Sequence, residues 1–341
     1  MTDFIAVAAR ARGLRRQLLT RAELEALAAH DAASLPRALN RSGKLRAPLI
    51  DNASVPEIDG ALRQTVKRHL GTLARWDGAA PLVEVFAADQ DRRSLRALIR
   101  GAQQAASADL RLAGLLATPS LPERALTGLA RQPTPAAVAA QLFVLRHPDA
   151  GALTTLTARK AQPDLFAVEL ALLHGFAARG AQGARRGDQN LRRFVAHRLD
   201  VSNAQAALLL VGAREVEPAR CFVEGGACLE KDAFLAAARA ETPREAMLQL
   251  RQGLARSPLA RLVAPGDEGP VDALRLERAG AALLLDEQQK AAREDPLGSG
   301  PALAFLLRLE VMARDVRRIA WAAALGAPAS VVKPDLVTPW P

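Results

Sequence analysis

The stretch EDPLGSGPALAFLLRLEVMARDVRRIAWAAALGAP, residues 294–328, decides the fold. Pro296, Gly298, Gly300 and Pro301 crowd its opening, and about 25 residues of helical pattern follow. The glycines let the chain reverse sharply, and Pro301 suits the first turn of a helix, where its missing N–H is not needed. Leu306, Leu309, Met312, Val316, Ile319 and Ala323 then make one apolar stripe. Glu310 stands four residues before Arg314, the favourable order for a helical ion pair, and Arg318 continues the row. With Asp315 and Arg317 the charge load is too high for an ordinary core helix. One face should pack while another pairs with neighbouring elements.

The same vocabulary runs through the whole chain. Half of the 341 residues are apolar, yet only 4% are aromatic and Tyr is absent. Ala, Leu and Arg dominate, the residues that cost least in a helix. In FIAVAARARGLRRQLL, residues 4–19, Ile5, Ala8, Leu14 and Leu18 keep an apolar stripe while Arg10, Arg12, Arg15 and Arg16 face elsewhere. Thr20 and Glu23 form a capping box that starts a second helix carrying Leu24 and Leu27. Turn signals such as RWDGAAP, RHPDAG, VEGGA and VAPGDEGP divide the rest, and about twelve to sixteen helices fit between them. The fold class is all-α, and a chain this long should subdivide.

A register repeats inside this helical pattern. Asp89-x-Asp91-x-x-Ser94-Leu95-Arg96, Arg198-x-Asp200-x-x-Asn203-Ala204-Gln205 and Glu310-x-Met312-x-x-Asp315-Val316-Arg317 align, with Ser94, Asn203 and Asp315 109 and 112 residues apart. Each copy follows a phenylalanine (Phe86, Phe194, Phe305) and a leading glycine (Gly78, Gly187, Gly298), and each reaches a later glycine (Gly101, Gly212, Gly326). The period is too long for a solenoid of helix pairs, so each unit should be a small bundle. The units fall at 1–105, 106–216 and 217–341, and they could line up or close into a ring. The repeat singles out Asp91, Ser94, Arg96, Asp200, Asn203, Gln205, Glu310, Arg314, Asp315 and Arg317 as structural or interface residues.

Net charge is +10, which fits an acidic partner. The alternative function it suggests is an Arg-rich helical nucleic-acid binder, but the chain has no recognisable nucleic-acid motif and few aromatics for stacking, so none is expected. No leader pattern or spanning apolar run stands out; the longest candidate, IAWAAALGAPASVV from Ile319, is broken by Gly326 and Pro328. A cytoplasmic location follows as the expectation. Cys221 and Cys228 flank Gly225-Gly226 at a spacing that fits neither a disulfide framework nor a zinc pair. None of the five histidines has a partner at ligand spacing, and EGGA lacks the Lys and hydroxyl of a phosphate loop. The acidic pairs Glu23/Glu25 and Asp89/Asp91 read as solvated face residues. No catalytic residue, cofactor or metal is expected, and the chain reads as no enzyme.

These stretches resemble the C subunit family of bacterial and archaeal V-type (A-type) rotary ATPases, similar to the d subunit of the eukaryotic vacuolar enzyme. The resemblance rests on residues 4–19, DQDRRSLRALIRG, DVSNAQAALLLVG, CFVEGGACLEKDAF and above all residues 295–328, where Pro296-Leu297-Gly298, Pro301, Phe305-Leu306, Glu310 and Gly326-x-Pro328 stand in family order. It runs from Phe4 to the C-terminus, with residues 102–185 alike only in helical character. The family usually has Asn at Ser94 and Asp315 and an acid at Met312, departures that bear on hydrogen bonds between repeats. The resemblance implies three similar helical bundles around a pseudo-threefold axis, forming a funnel. Such a protein is a non-catalytic rotor adapter between the central shaft subunits and the membrane proteolipid ring. It would sit on the cytoplasmic face, touch the membrane only through the ring, and couple ATP turnover to ion translocation.

Overall fold

The computed structural model describes residues 3–158, 162–213, 215–263 and 273–339; the turn expected at 264–270 lies outside them. It is all-α, with no strand among the described residues. Short helices α1 (Ile5–Arg15), α2 (Arg21–Leu27) and α3 (Leu35–Ser42) precede two long ones, α4 (Val55–Leu73) and α5 (Ala79–Gln103). Short α6 (Ala108–Leu112), α7 (Glu123–Ala130), α8 (Pro135–Val144) and α9 (Ala150–Ala158) then precede long α10 (Leu165–Arg185) and α11 (Gln189–Leu210). Finally α12 (Lys231–Ala238) and α13 (Pro243–Leu254) precede long α14 (Ala273–Glu294) and α15 (Gly300–Ala324), and α16 (Ala329–Val332) follows. Short helices followed by a long pair is thus the order three times over.

The long helices pack from one pair to the next. α5 lies on α10, α11 on α14, and α15 on α4, so the contacts run through all three pairs and return to the first. Each of these packings is antiparallel. Asp59 meets Arg317 while His69 meets Phe305 across α4 and α15. Glu84 meets Arg186 while Arg96 meets Glu169 across α5 and α10. Asn190 bonds Gln288 while Gly280 lies against Val201 across α11 and α14. The three interhelical turns therefore gather at one end. There the Asp188 carboxylate caps α11 through Leu191 N and also accepts Ser299 N and Oγ at 2.8 and 2.7 Å, tying two of the turns together. Arg12 donates to Pro296 O at the same end.

Local chemistry sets the helix boundaries. Thr20 with Glu23 and Ser54 with Glu57 are both capping boxes, and Pro301 sits within the first turn of α15 as its sequence requires. Gly78, before α5, has φ +82°, and a Cβ there would lie 2.0 Å from Asp3 O, so only glycine lets the N-terminal segment pass. The three later glycines are not alike. Gly212 and Gly326 are left-handed exits, but Gly101 is inside α5, where a Cβ would meet Arg111 Cγ at 2.7 Å. The left-handed exit after α5 is Ala105, φ 51°, which stands 11 residues after Ser94 as Gly326 does after Asp315. Apolar residues of all three long pairs share one core that includes Phe86, Phe176, Phe194, Phe234 and Phe305, and a second core joins α6 to α9 to α5 and α10.

Candidate functional site

The second long helices, α5, α11 and α15, bring one residue each to the centre of the fold. Asp89, Arg198 and Glu310 hold the first position of the repeated register, 109 and 112 residues apart, and all three are buried. Arg198 donates from Nε and Nη2 to Asp89 Oδ2 at 3.0 and 2.5 Å. Arg93 stands between the two acids, with Nε 3.1 Å from Asp89 Oδ2 and Nη1 donating to Glu310 Oε1 at 2.5 Å. Arg92 adds a 3.0 Å bond to Asp89, Gln90 donates to Glu310 at 2.8 Å, and Arg314 bonds Glu310 at 2.9 Å in the i,i+4 geometry read from the sequence. Burial pushes the Asp89 pKa up, but Arg93 and Arg92 outweigh it and hold the carboxyl below its ordinary value. Burial likewise disfavours the Arg93 cation, and Asp89 and Glu310 reverse that, raising its pKa.

Around this centre, acids on the same helices hold the chain that follows. Asp200 accepts the backbone N–H groups of Ala227, Cys228 and Leu229 at 2.8 to 3.1 Å, a nest of amides that neutralises a fully buried carboxylate. A Cβ on Gly226 would lie 2.0 Å from Asp200 Oδ1, which is why the loop is glycine-rich there. Asp315 accepts Val337 N, Thr338 N and Thr338 Oγ1, the last two at 2.8 and 2.7 Å. Asn203, its counterpart in the register, bonds both backbone groups of Val223. Ser94 is buried at the matching place and makes no equivalent bond. In the first unit Asp91 does the work instead. It accepts Thr118 Oγ1 at 2.6 Å, Ser120 Oγ at 2.5 Å and Arg179 Nη1 at 3.0 Å, with His147 Nε2 at 3.4 Å. Burial raises its pKa, and His147, Ser120 and Thr118 more than compensate.

The remaining singled-out residues lie farther out. Arg96 pairs with Glu169 at 2.7 Å and reaches Glu277 at 4.0 Å, while Arg317 bonds Asp59 at 2.6 Å and so joins α15 to α4. Gln205 lines a recess of about 230 Å³ with Arg92, Arg96 and Glu169. The expectation that Asp89 and Asp91 are solvated is overturned: they are 4% and 0% exposed, since guanidinium groups on α10 and α11 replace water around them. Sequence reasoning missed Asp89 and Arg198 as central residues, although opposite charges at one register position were a signal for contact. Asp59, Glu277 and Arg179 carried no such signal.

Among the described residues no group of three or more His, Cys, Asp or Glu could hold a metal. The Cys228 thiol is pushed up to about 11 by burial and by Asp200, and burial raises Cys221 as well, so neither is an activated nucleophile. No helix among the described residues is long and apolar enough to cross a membrane.

Comparison with known proteins gives the family. A family model described as ATP synthase (C/AC39) subunit matches residues 7–333. The C subunit of the V-type ATP synthase of Thermus thermophilus, in each of two strains, is 30% identical over 288 residues, which cover 84% of this chain and 84% of the relative. With its family signature spread over nearly its whole length and relatives matched across most of theirs, this chain belongs to the ATP synthase (C/AC39) subunit family and is a non-catalytic member of it.

Proposed function

We propose that the chain is the central-rotor adapter of a V/A-type rotary ATPase, linking the central shaft to the membrane proteolipid ring and passing torque between ATP turnover and ion translocation. Its three units, 1–105, 106–216 and 217–341, would close about a pseudo-threefold axis into a funnel on the cytoplasmic face of the membrane. The observation that carries this reading is that Asp89 and Arg198, from one register position, bond directly, and that Arg93 links them to Glu310 at the third copy of that position. Equivalent residues come together when related units surround an axis, and the return of contacts from α15 to α4 supports the same closure.

An adapter that transmits torque needs stiffness more than chemistry. Buried ion pairs with full hydrogen bonding supply orientation, because removing one partner strands the other in a low dielectric. Asp91, Ser94, Arg96, Asp200, Asn203, Gln205, Glu310, Arg314, Asp315 and Arg317 serve here as stiffening and interface groups. Excess arginine on the outside favours attachment steered by charge, which weakens with salt as the Debye length falls below roughly 8 Å. A pull-down of the full chain against the purified ring and the purified shaft subunits, separately, tests the assignment. Capture by both, with ring capture reduced between low salt and 0.5 M salt, is expected. Capture by neither would refute the adapter role.

A further inference from the structure

A recess of about 320 Å³ opens between α5, α14, α15 and the loop at Ala113–Leu116. Six guanidinium groups line it, from Arg93, Arg96, Arg278, Arg314, Arg317 and Arg318, against two carboxylates, Glu277 and Glu310. Behind this lining Arg278 pairs with Asp335 and Arg318 with Asp315, while the other acids are shared with cations that lie elsewhere. Asp59 serves Arg63 as well as Arg317, Asp89 serves Arg92 and Arg198 as well as Arg93, and Glu169 serves Arg92 as well as Arg96. The lining also has unused donors: Arg317 Nη2 and Arg278 Nε are buried without a hydrogen-bond partner. Buried donors of this kind are costly to leave unmade.

We propose that this recess is a binding site for a small polyanion carrying two linked phosphate groups. Guanidinium forks match phosphate oxygens in pairs, and several forks converging on one recess favour more than one phosphate. The volume suits a diphosphate and excludes a folded partner segment of any length. The charge count agrees, with six cations lining the recess against two carboxylates. Burial lowers the Arg314 pKa, Glu310 and Glu277 oppose the shift, and Arg93 and Arg318 add to it. A bound polyanion relieves that repulsion and occupies the idle donors.

The test uses the isolated full chain, so its failure leaves the adapter role untouched. Isothermal titration with inorganic pyrophosphate and, separately, with ADP is run at 150 mM KCl. One saturable site is expected, with ADP tighter than pyrophosphate if the diphosphate is presented on a nucleoside and weaker if it is the free ion. Arg314→Gln should weaken binding about tenfold or more, the loss of one charge-assisted bond. Glu277→Gln removes a repelling carboxylate and should tighten it, an opposite shift that misfolding cannot imitate. Arg192→Gln with Arg193→Gln, exposed on α11, should change nothing. Absence of a saturable site, equal weakening by the Arg192/Arg193 and Arg314 variants, or weakening by Glu277→Gln would overturn the proposal.

Discussion

Replacing His69 with leucine should flatten the acid side of the protein's stability curve. His69 on α4 is 1% exposed, with its ring edge-on to Phe305 of α15 at 5.8 Å between centroids, and neither ring nitrogen has a partner. Burial, with a smaller contribution from Arg68, lowers its pKa from 6.5 to about 4. The unfolded chain therefore takes up a proton below about pH 6.5 and the folded chain only near pH 4, so stability is lost as pH falls through that window. At pH 5 proton uptake stabilises the unfolded chain by about 2 kcal/mol and the folded chain by about 0.1 kcal/mol. Wild type should thus lose about 2 kcal/mol relative to His69→Leu between pH 7.5 and pH 5, and about 3 kcal/mol by pH 4. At pH 7.5 the variant should match or exceed wild type, because two unsatisfied ring nitrogens leave the core. Urea denaturation followed by circular dichroism across this pH range measures the difference. Parallel curves for the two proteins, with a constant gap, would refute the buried neutral imidazole.

Four further substitutions test other features of the fold. Ala105→Gly should raise stability by about 0.5–1 kcal/mol in a thermal melt, since Ala105 is exposed and held at φ 51° where its counterparts are glycine. Asp89→Asn leaves three guanidinium groups without their shared carboxylate and should cost about 3–5 kcal/mol in chemical denaturation; a loss below about 1 kcal/mol would mean that the central cluster carries no weight. Gly226→Ala pushes a methyl group into the Asp200 carboxylate and should destabilise by at least about 2 kcal/mol, whereas Gly212→Ala, with open space around it, should cost only the smaller strain of its φ of +79°.

The segment from Pro296 to Pro328 was legible because its signals are local: turn residues, a proline at the helix start and a stripe at helical spacing. The register was legible as well, since aligned residues keep their order along the chain. The partners of the register residues were not. Asp89 and Asp91 look like any solvated acids on an Ala-rich helix, and only the approach of Arg198 and Arg179, 109 and 88 residues away, makes them internal. The role of Gly101 was not legible either. A glycine near a helix end reads as an exit, but this one is needed for the close passage of Arg111, and the actual exit falls on an alanine that propensity disfavours.

The packing of α15 on α4 also has a consequence in time. Arg317 reaches Asp59 across 258 residues, so α4 cannot gain this contact until α15 has been synthesised. During translation α4 waits with Ile58, Leu62 and Val66 uncovered, and a chain stopped before α15 would leave that surface bare for misassociation or proteolysis. The contact is thus a quality check written into the topology: α4 is covered only in a chain that has been made as far as α15.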